Sequence, residues 1–339
     1  METKYIVSFD NFKHYCEQFG ESVKNIDGRC FHCLQRTYCY FDNKECQIDS
    51  LLHMKSTKSR FPKLLSFFPK RPDFLYVFPA TLYKSAYGLY QQNISCPFNA
   101  NTIINDINKL ERTYHLLTDK ESKMTFLNIL MYRLTLNRDY VSRAYSMLPQ
   151  YFIPEFCGLK SDEIYVDCGA YDGDSFVSYC QYNAVPQKAY LFEPDRKNKE
   201  LLDDLLQQYN NNCGINTIAK GVYKYSGTLF FVEGKGVVSH FSEKPIKNSI
   251  PLEVTSIDDS IVDDVSFIKM DIEGFEKDAL LGAKMHILDT YPKLAICIYH
   301  HCSDLWNIPL MIADMFPKYG NYKIRHHTKF NNETVLYVY

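Results

Sequence analysis

From residue 163 onward, apolar positions fall into two alternating rhythms. Short unbroken runs of Ile, Val, Leu, Tyr and Phe suit strands covered on both faces, and longer stretches with apolar residues three and four apart suit helices. The first run, Ile164-Tyr165-Val166, stops at Asp167 and gives way to a glycine-marked loop. Phe176–Cys180 then reads as the first turns of a helix. Lys188–Phe192 is a second strand, ending in Glu193-Pro194-Asp195. Helix Arg196–Tyr209 follows, with Leu201, Leu202, Leu205 and Leu206 as its apolar positions. Thr217–Tyr223 and Ile250–Ile257 read as strands, with Gly227–Val232 between them as a hairpin-like insertion. Ser266–Asp271 is a buried strand leading through Glu273-Gly274-Phe275-Glu276 into helix Lys277–Leu288. Leu294–Tyr299 ends at His300-His301, and a helix near Pro309–Phe316 follows. Tyr322–Arg325 and Thr334–Tyr339 close the chain as a strand pair. Strands alternating with helices predict an open α/β fold whose sheet is mostly parallel and Rossmann-like, with an antiparallel end.

Residues 151–339 are therefore expected to form one domain. Upstream the rhythm changes. Residues 99–150 are helical by pattern, with Asp119 as an N-cap, and are expected to act as a linker or lid. Gln150–Pro154 would lie across the mouth of the site described below. Residues 1–98 read as a small accessory α/β unit: strand Lys4–Phe9, helix Asn11–Gly20, strand Thr37–Phe41, a basic stretch Leu51–Phe68, strand Phe74–Pro79 and helix Ala80–Gln92. No internal repeat interrupts the chain.

Composition narrows the class. With 46% apolar residues among 339, the chain can bury a full core. The 38 basic and 40 acidic residues balance to −2, so no broad electrostatic footprint for nucleic acid or an anionic membrane is expected. No apolar run approaches a membrane span, and Met1–Val7 lacks the core of a secretion signal, so the expected location is cytoplasmic. Reduced thiols go with that location. Most cysteines are scattered singly in apolar surroundings, as Cys168, Cys180 and Cys297 are, and suit a core. The cluster Cys30, His32, Cys33, Cys39 and Cys46 has short loops that would close on zinc. The competing reading sets Cys39 in a strand and is favoured, because only Cys30 and Cys33 form a tight pair.

The chemistry concentrates where strands end. A strand feeding a glycine turn and a helix N-terminus makes a cradle: glycine lets the backbone come close, and free N–H groups face an anionic ligand end. About twenty residues on, Glu193 ends the next strand, the offset at which an acidic residue grips a ribose diol. The pattern Asp167-x-Gly169-x-x-x-Gly173-x-Ser175 puts Ala170-Tyr171 where a dinucleotide fingerprint needs its second glycine. It resembles the class I methyltransferase cradle for S-adenosylmethionine. A tight turn without a ligand is the bland alternative.

The second half of the chain also resembles the FkbM family of S-adenosylmethionine-dependent methyltransferases. The residues that carry the likeness are Val166–Asp174, Phe192-Glu193-Pro194, Thr255–Asp259, Ile268–Glu276, Tyr299-His300 and Glu333–Tyr337. The resemblance implies a seven-stranded class I methyltransferase domain, with residues 1–98 as a degenerate Rossmann-like layer. It also implies O-methylation of a hydroxyl on a sugar, a surface-glycan precursor or a secondary metabolite. The acceptor is thus a small molecule or glycan.

The expected cofactor-binding residues are Asp167, Gly169, Ala170, Tyr171, Gly173, Ser175, Glu193 and Asp258. Gly169 and Gly173 would admit the amino-acid end, Asp167 would meet its ammonium, and Glu193 would accept the ribose hydroxyls. As an alternative, Glu193 would cap the next helix, with Pro194 in its first position. Asp271 ends a strand at the crevice where open α/β sheets bind substrates, and Lys269, two residues earlier, would share its side of the strand and pair with it. Asp271 would orient the acceptor, act as base, or hold a divalent metal with Glu273 or Asp258. His300 ends the next strand, titrates near neutrality, and is the expected general base. Arg325-His326 would reach an anionic acceptor. Two rival functions stand beside methyl transfer: an NAD-linked oxidoreductase, which the missing glycine opposes, and a non-catalytic scaffold using the cysteine-rich segment for interactions.

Overall fold

The computed structural model describes residues 8–23, 100–135, 138–158, 161–207, 209, 213–232, 240–242, 244–245, 249–330 and 332–339. Thr37–Phe41, Leu51–Phe68, Phe74–Pro79, Ala80–Gln92 and the Cys30–Cys46 cluster lie outside them. The chain divides into two compact units. The first takes in Met1–Tyr114 and Met124–Ala144. Among its described residues, helix Phe9–Val23 packs Phe9 on Tyr114, ring centroids 5.4 Å apart, and pairs Lys13 with Glu111. Phe9, the end of one expected strand, is thus helical.

The second unit takes in His115–Lys123, Tyr145–Glu233 and Ser239–Tyr339 and carries two sheets. Its main sheet consists of β1 (Ile164–Cys168), β2 (Lys188–Phe192), β3 (Gly214–Ile218), β8 (Phe267–Met270), β9 (Lys293–Cys297), β10 (Tyr322–His326) and β11 (Thr334–Val338). Their order is β10-β11-β9-β8-β1-β2-β3, parallel except where β11 runs against β9 and β10. This is the expected seven-stranded class I fold. β1, β8 and β11 are buried at every position, as apolar runs with both faces covered must be. Between β3 and β8 the chain builds a four-stranded sheet from β4 (Gly221–Val222), β5 (Gly227–Val232), β6 (His240–Ser242) and β7 (Ser249–Thr255), ordered β4-β7-β5-β6.

Several boundaries move. The expected strand Thr217–Tyr223 is two strands, because β3 ends in the main sheet and β4 starts in the smaller one. Helix Lys277–Leu288 is likewise two, Glu276–Leu281 and Lys284–Thr290, broken at Gly282. A Cβ at Gly282 would sit 2.2 Å from the Tyr223 carbonyl oxygen, so the break brings two backbones together. Pro309 lies inside helix Asp304–Met315 instead of opening it. Asp119 does cap helix Lys120–Thr135: its Oδ1 accepts from the Ser122 N–H at 2.6 Å.

Candidate active site

The sheet order reverses between β1 and β8, and their carboxyl ends open on a cavity of about 670 Å³. Its wall on one side comes from the loops after β1 and β2. Gly169, at φ +82°, and Ala170 donate their N–H groups to the Phe192 carbonyl at 3.0 and 2.9 Å, tying the loop to the end of β2. A Cβ on Gly169 would lie 2.0 Å from the Asp271 carbonyl oxygen. The glycine is therefore required by the close approach of two strand-end loops. Gly173 meets a similar demand from Leu202 and Leu205, whose methyl carbons lie 2.9 and 2.6 Å from where its Cβ would be. Ala170 is fully buried, whereas Tyr171 and Ser175 line the cavity beside Gly169.

Glu193 also lines the cavity. Its Oε1 accepts from the Asp195 N–H at 2.8 Å and its Oε2 from the Tyr171 N–H at 2.9 Å. Burial raises its pKa, against the pull of those N–H donors. The capping role falls instead to Asp195, which accepts from Lys197 and Asn198 N–H groups, and the helix begins at Arg196, beyond Pro194. The Asn198 side-chain amide adds a longer bond to Oε1 at 3.5 Å, so Glu193 is held by three donors while Oε2 keeps one lone-pair direction for a ligand.

Asp167 and Lys269 face each other across the β1–β8 register and form a buried ion pair of 2.8 Å. The Tyr165 hydroxyl donates to the other Asp167 oxygen, and Lys269 donates to the Gly169 carbonyl at 2.7 Å. Burial opposes the charge on Lys269, but Asp167 and Asp271 raise its pKa above the ordinary lysine value. The expectation that Asp167 meets a cofactor ammonium is corrected accordingly. Lys269 is already there, and Asp167 is completely enclosed. The expected pairing of Lys269 with Asp271 gives way to the same contact.

Asp271, just past β8, reaches the cavity. It accepts from the hydroxyls of Tyr151 at 2.8 Å and Tyr299 at 3.3 Å. Gln150 and Tyr151, from the segment before the first strand, also line the cavity, and so does Glu333. Glu333 accepts from Tyr299 at 3.4 Å, and its pKa is raised by burial and by the neighbouring Asp271.

His300 lies beneath this surface. Its Nε2 is 3.4 Å from Asp271 Oδ1 and its Nδ1 3.0 Å from Glu276 Oε1. Burial alone would lower its pKa, but Glu276, Asp271 and Glu273 outweigh it and push the value up to about 9. A ring that holds its proton at neutral pH has no lone pair to offer, so the general-base assignment to His300 is corrected. Sequence reasoning named Glu276 only within the motif. Its carboxylate folds back to accept from the Ile272 N–H at 3.0 Å, which fixes the loop after β8.

Asp258 lies apart from the cavity-lining residues. It accepts from the Met285 and His286 N–H groups at 3.0 and 3.2 Å and stands 2.8 Å from His286 Nδ1, so it is taken up by the first turn of helix Lys284–Thr290. This corrects its assignment to the cofactor and its place beside Asp271 in a metal site. Arg325 is likewise occupied by Asp119, 3.1 Å away, and His326 by Thr334 and Phe330. Neither is free to meet an acceptor. Among the described residues, no helix is long and apolar enough to cross a membrane.

The far wall could not be foreseen from strand ends, because it comes largely from the smaller sheet: Val222, Leu229, Leu252 and Val254, with Lys220 just before β4 and Phe275. Their signal in the sequence is only the alternation of a half-buried sheet, mixed because β4 runs parallel to β7.

Residues 167–321 match the family described as the methyltransferase FkbM domain. Among solved structures, the chain is similar to the methyltransferase FkbM of Methylobacillus flagellatus KT at 28% identity and a TM-score of 0.60, over 75% of this chain and 64% of that one. This chain thus spans less than two thirds of that protein's length. Weaker likenesses include an rRNA methylase of Streptococcus thermophilus, at 13% identity, a TM-score of 0.34, and 60% and 93% coverage. Another is a methyltransferase of Geobacter sulfurreducens, at 12% identity, a TM-score of 0.32, and 76% and 96% coverage. A search of curated proteins found no match.

Proposed function

We propose that the chain, whose residues 167–321 match the methyltransferase FkbM domain, is an S-adenosylmethionine-dependent O-methyltransferase. Its acceptor is a hydroxyl of a sugar, a surface-glycan precursor or a secondary metabolite. The observation that carries this reading is the Glu193 carboxylate, buried at the carboxyl end of β2, pinned by two backbone N–H groups and turned to the cavity. A vicinal diol is a natural partner for a carboxylate so held.

When bound, S-adenosylmethionine supplies an electrophilic methyl group on a sulfonium. Glu193 would hold the ribose hydroxyls, while Ser175 and the Gly169–Tyr171 loop would take the amino-acid end. Val222, Leu229, Leu252, Val254 and Phe275 form an apolar wall that excludes water. Asp271 orients the acceptor hydroxyl and takes its proton, the role first given to His300. Tyr151 and Tyr299 hold its carboxylate in place. Positioning is the protein's main contribution, since the cofactor carries the leaving group.

Calorimetry with S-adenosylmethionine and with NAD tests the proposal. The first should bind and the second should not; Glu193→Ala should abolish binding. Asp271→Asn should leave that binding intact and remove turnover, read as the gain of one methylene in the mass of candidate acceptors. NAD binding, or equal loss of cofactor binding in both variants, would overturn the assignment.

A further inference from the structure

Asp271, Glu276 and His300 come from three places: the end of β8, the first turn of helix Glu276–Leu281, and the end of β9. Each offers one ligand atom, and these atoms lie within 4.8 Å of one another. A second observation is independent of that clustering. Glu276 is fully buried, His300 keeps only 8% of its side chain exposed, and Glu276 Oε2 and both His300 ring nitrogens lack a hydrogen-bond partner. Buried polar atoms without partners are rare, and three in one cluster call for a missing one.

We infer that Asp271, Glu276 and His300 form a divalent-cation site beneath the cavity floor. As an ion pair alone, an imidazolium between two carboxylates would leave Glu276 Oε2 unsatisfied and its own N–H groups outside hydrogen-bond geometry. A doubly charged ion answers both carboxylates and a ring nitrogen at once. One imidazole with two carboxylates suits Mn²⁺, Fe²⁺ or Zn²⁺ better than an all-oxygen ion such as Ca²⁺.

The surrounding contacts are those a metal site needs. Glu276 Oε1 is fixed by the Ile272 N–H, and Asp271 by the Tyr151 and Tyr299 hydroxyls. Orientation of ligands by such outer contacts is the usual condition for affinity. Ligation requires neutral imidazole, so cation and proton compete for the ring. Of the three ligands Asp271 alone lines the cavity, which sets the ion against whatever occupies the acceptor side. There it would polarise a hydroxyl as a Lewis acid, a consequence that rests on the methyltransferase reading, although the site does not.

The test uses the full chain, stripped with a chelator and titrated with MnCl₂, followed by calorimetry and by the loss of the free-ion electron paramagnetic resonance signal. Manganese is chosen because thiolates at Cys30–Cys46 would compete for zinc. One Mn²⁺ per chain should bind, weakened at least about tenfold in both His300→Ala and Glu276→Gln. Circular dichroism checks that each variant is folded; should Glu276→Gln unfold, His300→Ala decides. Absence of Mn²⁺ binding to the wild type, or undiminished binding in folded His300→Ala, overturns the inference. Either result leaves the cofactor titration untouched, so a failed cation site and a failed methyltransferase reading are told apart.

Discussion

Two buried charge clusters flank the cavity, and they are built on opposite terms. On one side Asp167 and Lys269 sit across neighbouring parallel strands at 2.8 Å, with Tyr165 and the Gly169 carbonyl completing the set. On the other, Asp271 and Glu276 bring two carboxylates to one ring, at 3.4 and 3.0 Å, and leave Glu276 Oε2 without a hydrogen-bond partner. The first cluster balances its own charge and, although Lys269 also lines the cavity, it holds the glycine loop in shape. The second is underpaired and ends on the cavity wall, which is the mark of a group kept for something outside the chain. Lys269 and Asp271, charged residues two positions apart at the end of β8, thus serve different ends.

The strongest way to break this contrast is Lys269→Met. It strands the fully buried Asp167 charge, so stability to denaturant should fall by about 3–5 kcal/mol. Adding Asp167→Asn should recover much of that loss. A single variant that melts like the wild type would show that the first cluster is not what holds the β1–β8 core.

A smaller effect should come from acid. His327 Nδ1–H donates to the Leu148 carbonyl at 3.2 Å, so its Nε2 accepts from the Tyr337 hydroxyl at 2.8 Å. Tyr337 in turn accepts from the Tyr151 N–H, holding Tyr151 at φ +68° beside Asp271. Burial is the main cause that brings the His327 pKa down to about 4, with Arg325 adding to it against the Leu148 hydrogen bond. The unfolded chain therefore takes up this proton first. The histidine's contribution is complete above its unfolded value near 6.5 and is lost as pH falls toward 4, on the order of 3 kcal/mol. Comparing wild type with His327→Gln in unfolding experiments across that window isolates it. Equal pH slopes would remove His327 from the support of the second cluster.

The smallest change sharpens the contrast from the cavity side. Tyr151→Phe deletes one hydroxyl on Asp271 and should cost about 1 kcal/mol of stability. S-adenosylmethionine affinity should hold while turnover drops. A loss of affinity instead would put Tyr151 on the cofactor rather than on Asp271.

Some of this was readable before any coordinates. Strand β2 at Lys188–Phe192 and β5 at Gly227–Val232 fall where the apolar runs end, and the Glu193 and Asp271 positions follow from strands stopping there. Runs, turns and caps are settled among neighbours in the chain, and burial on both faces leaves a plain trace in residue type. The roles of charged side chains depend on partners about 25 to 100 residues away, as Asp258 does on His286 and Lys269 on Asp167. His300 was expected at the crevice edge but is not among the cavity-lining residues, and its proton affinity is set by Glu276 and Asp271, which only folding brings to within 3.0 and 3.4 Å. Local pattern told which groups stand at the carboxyl edge; the packed chain, through distance and exclusion of water, assigned each of them its charge and its partner.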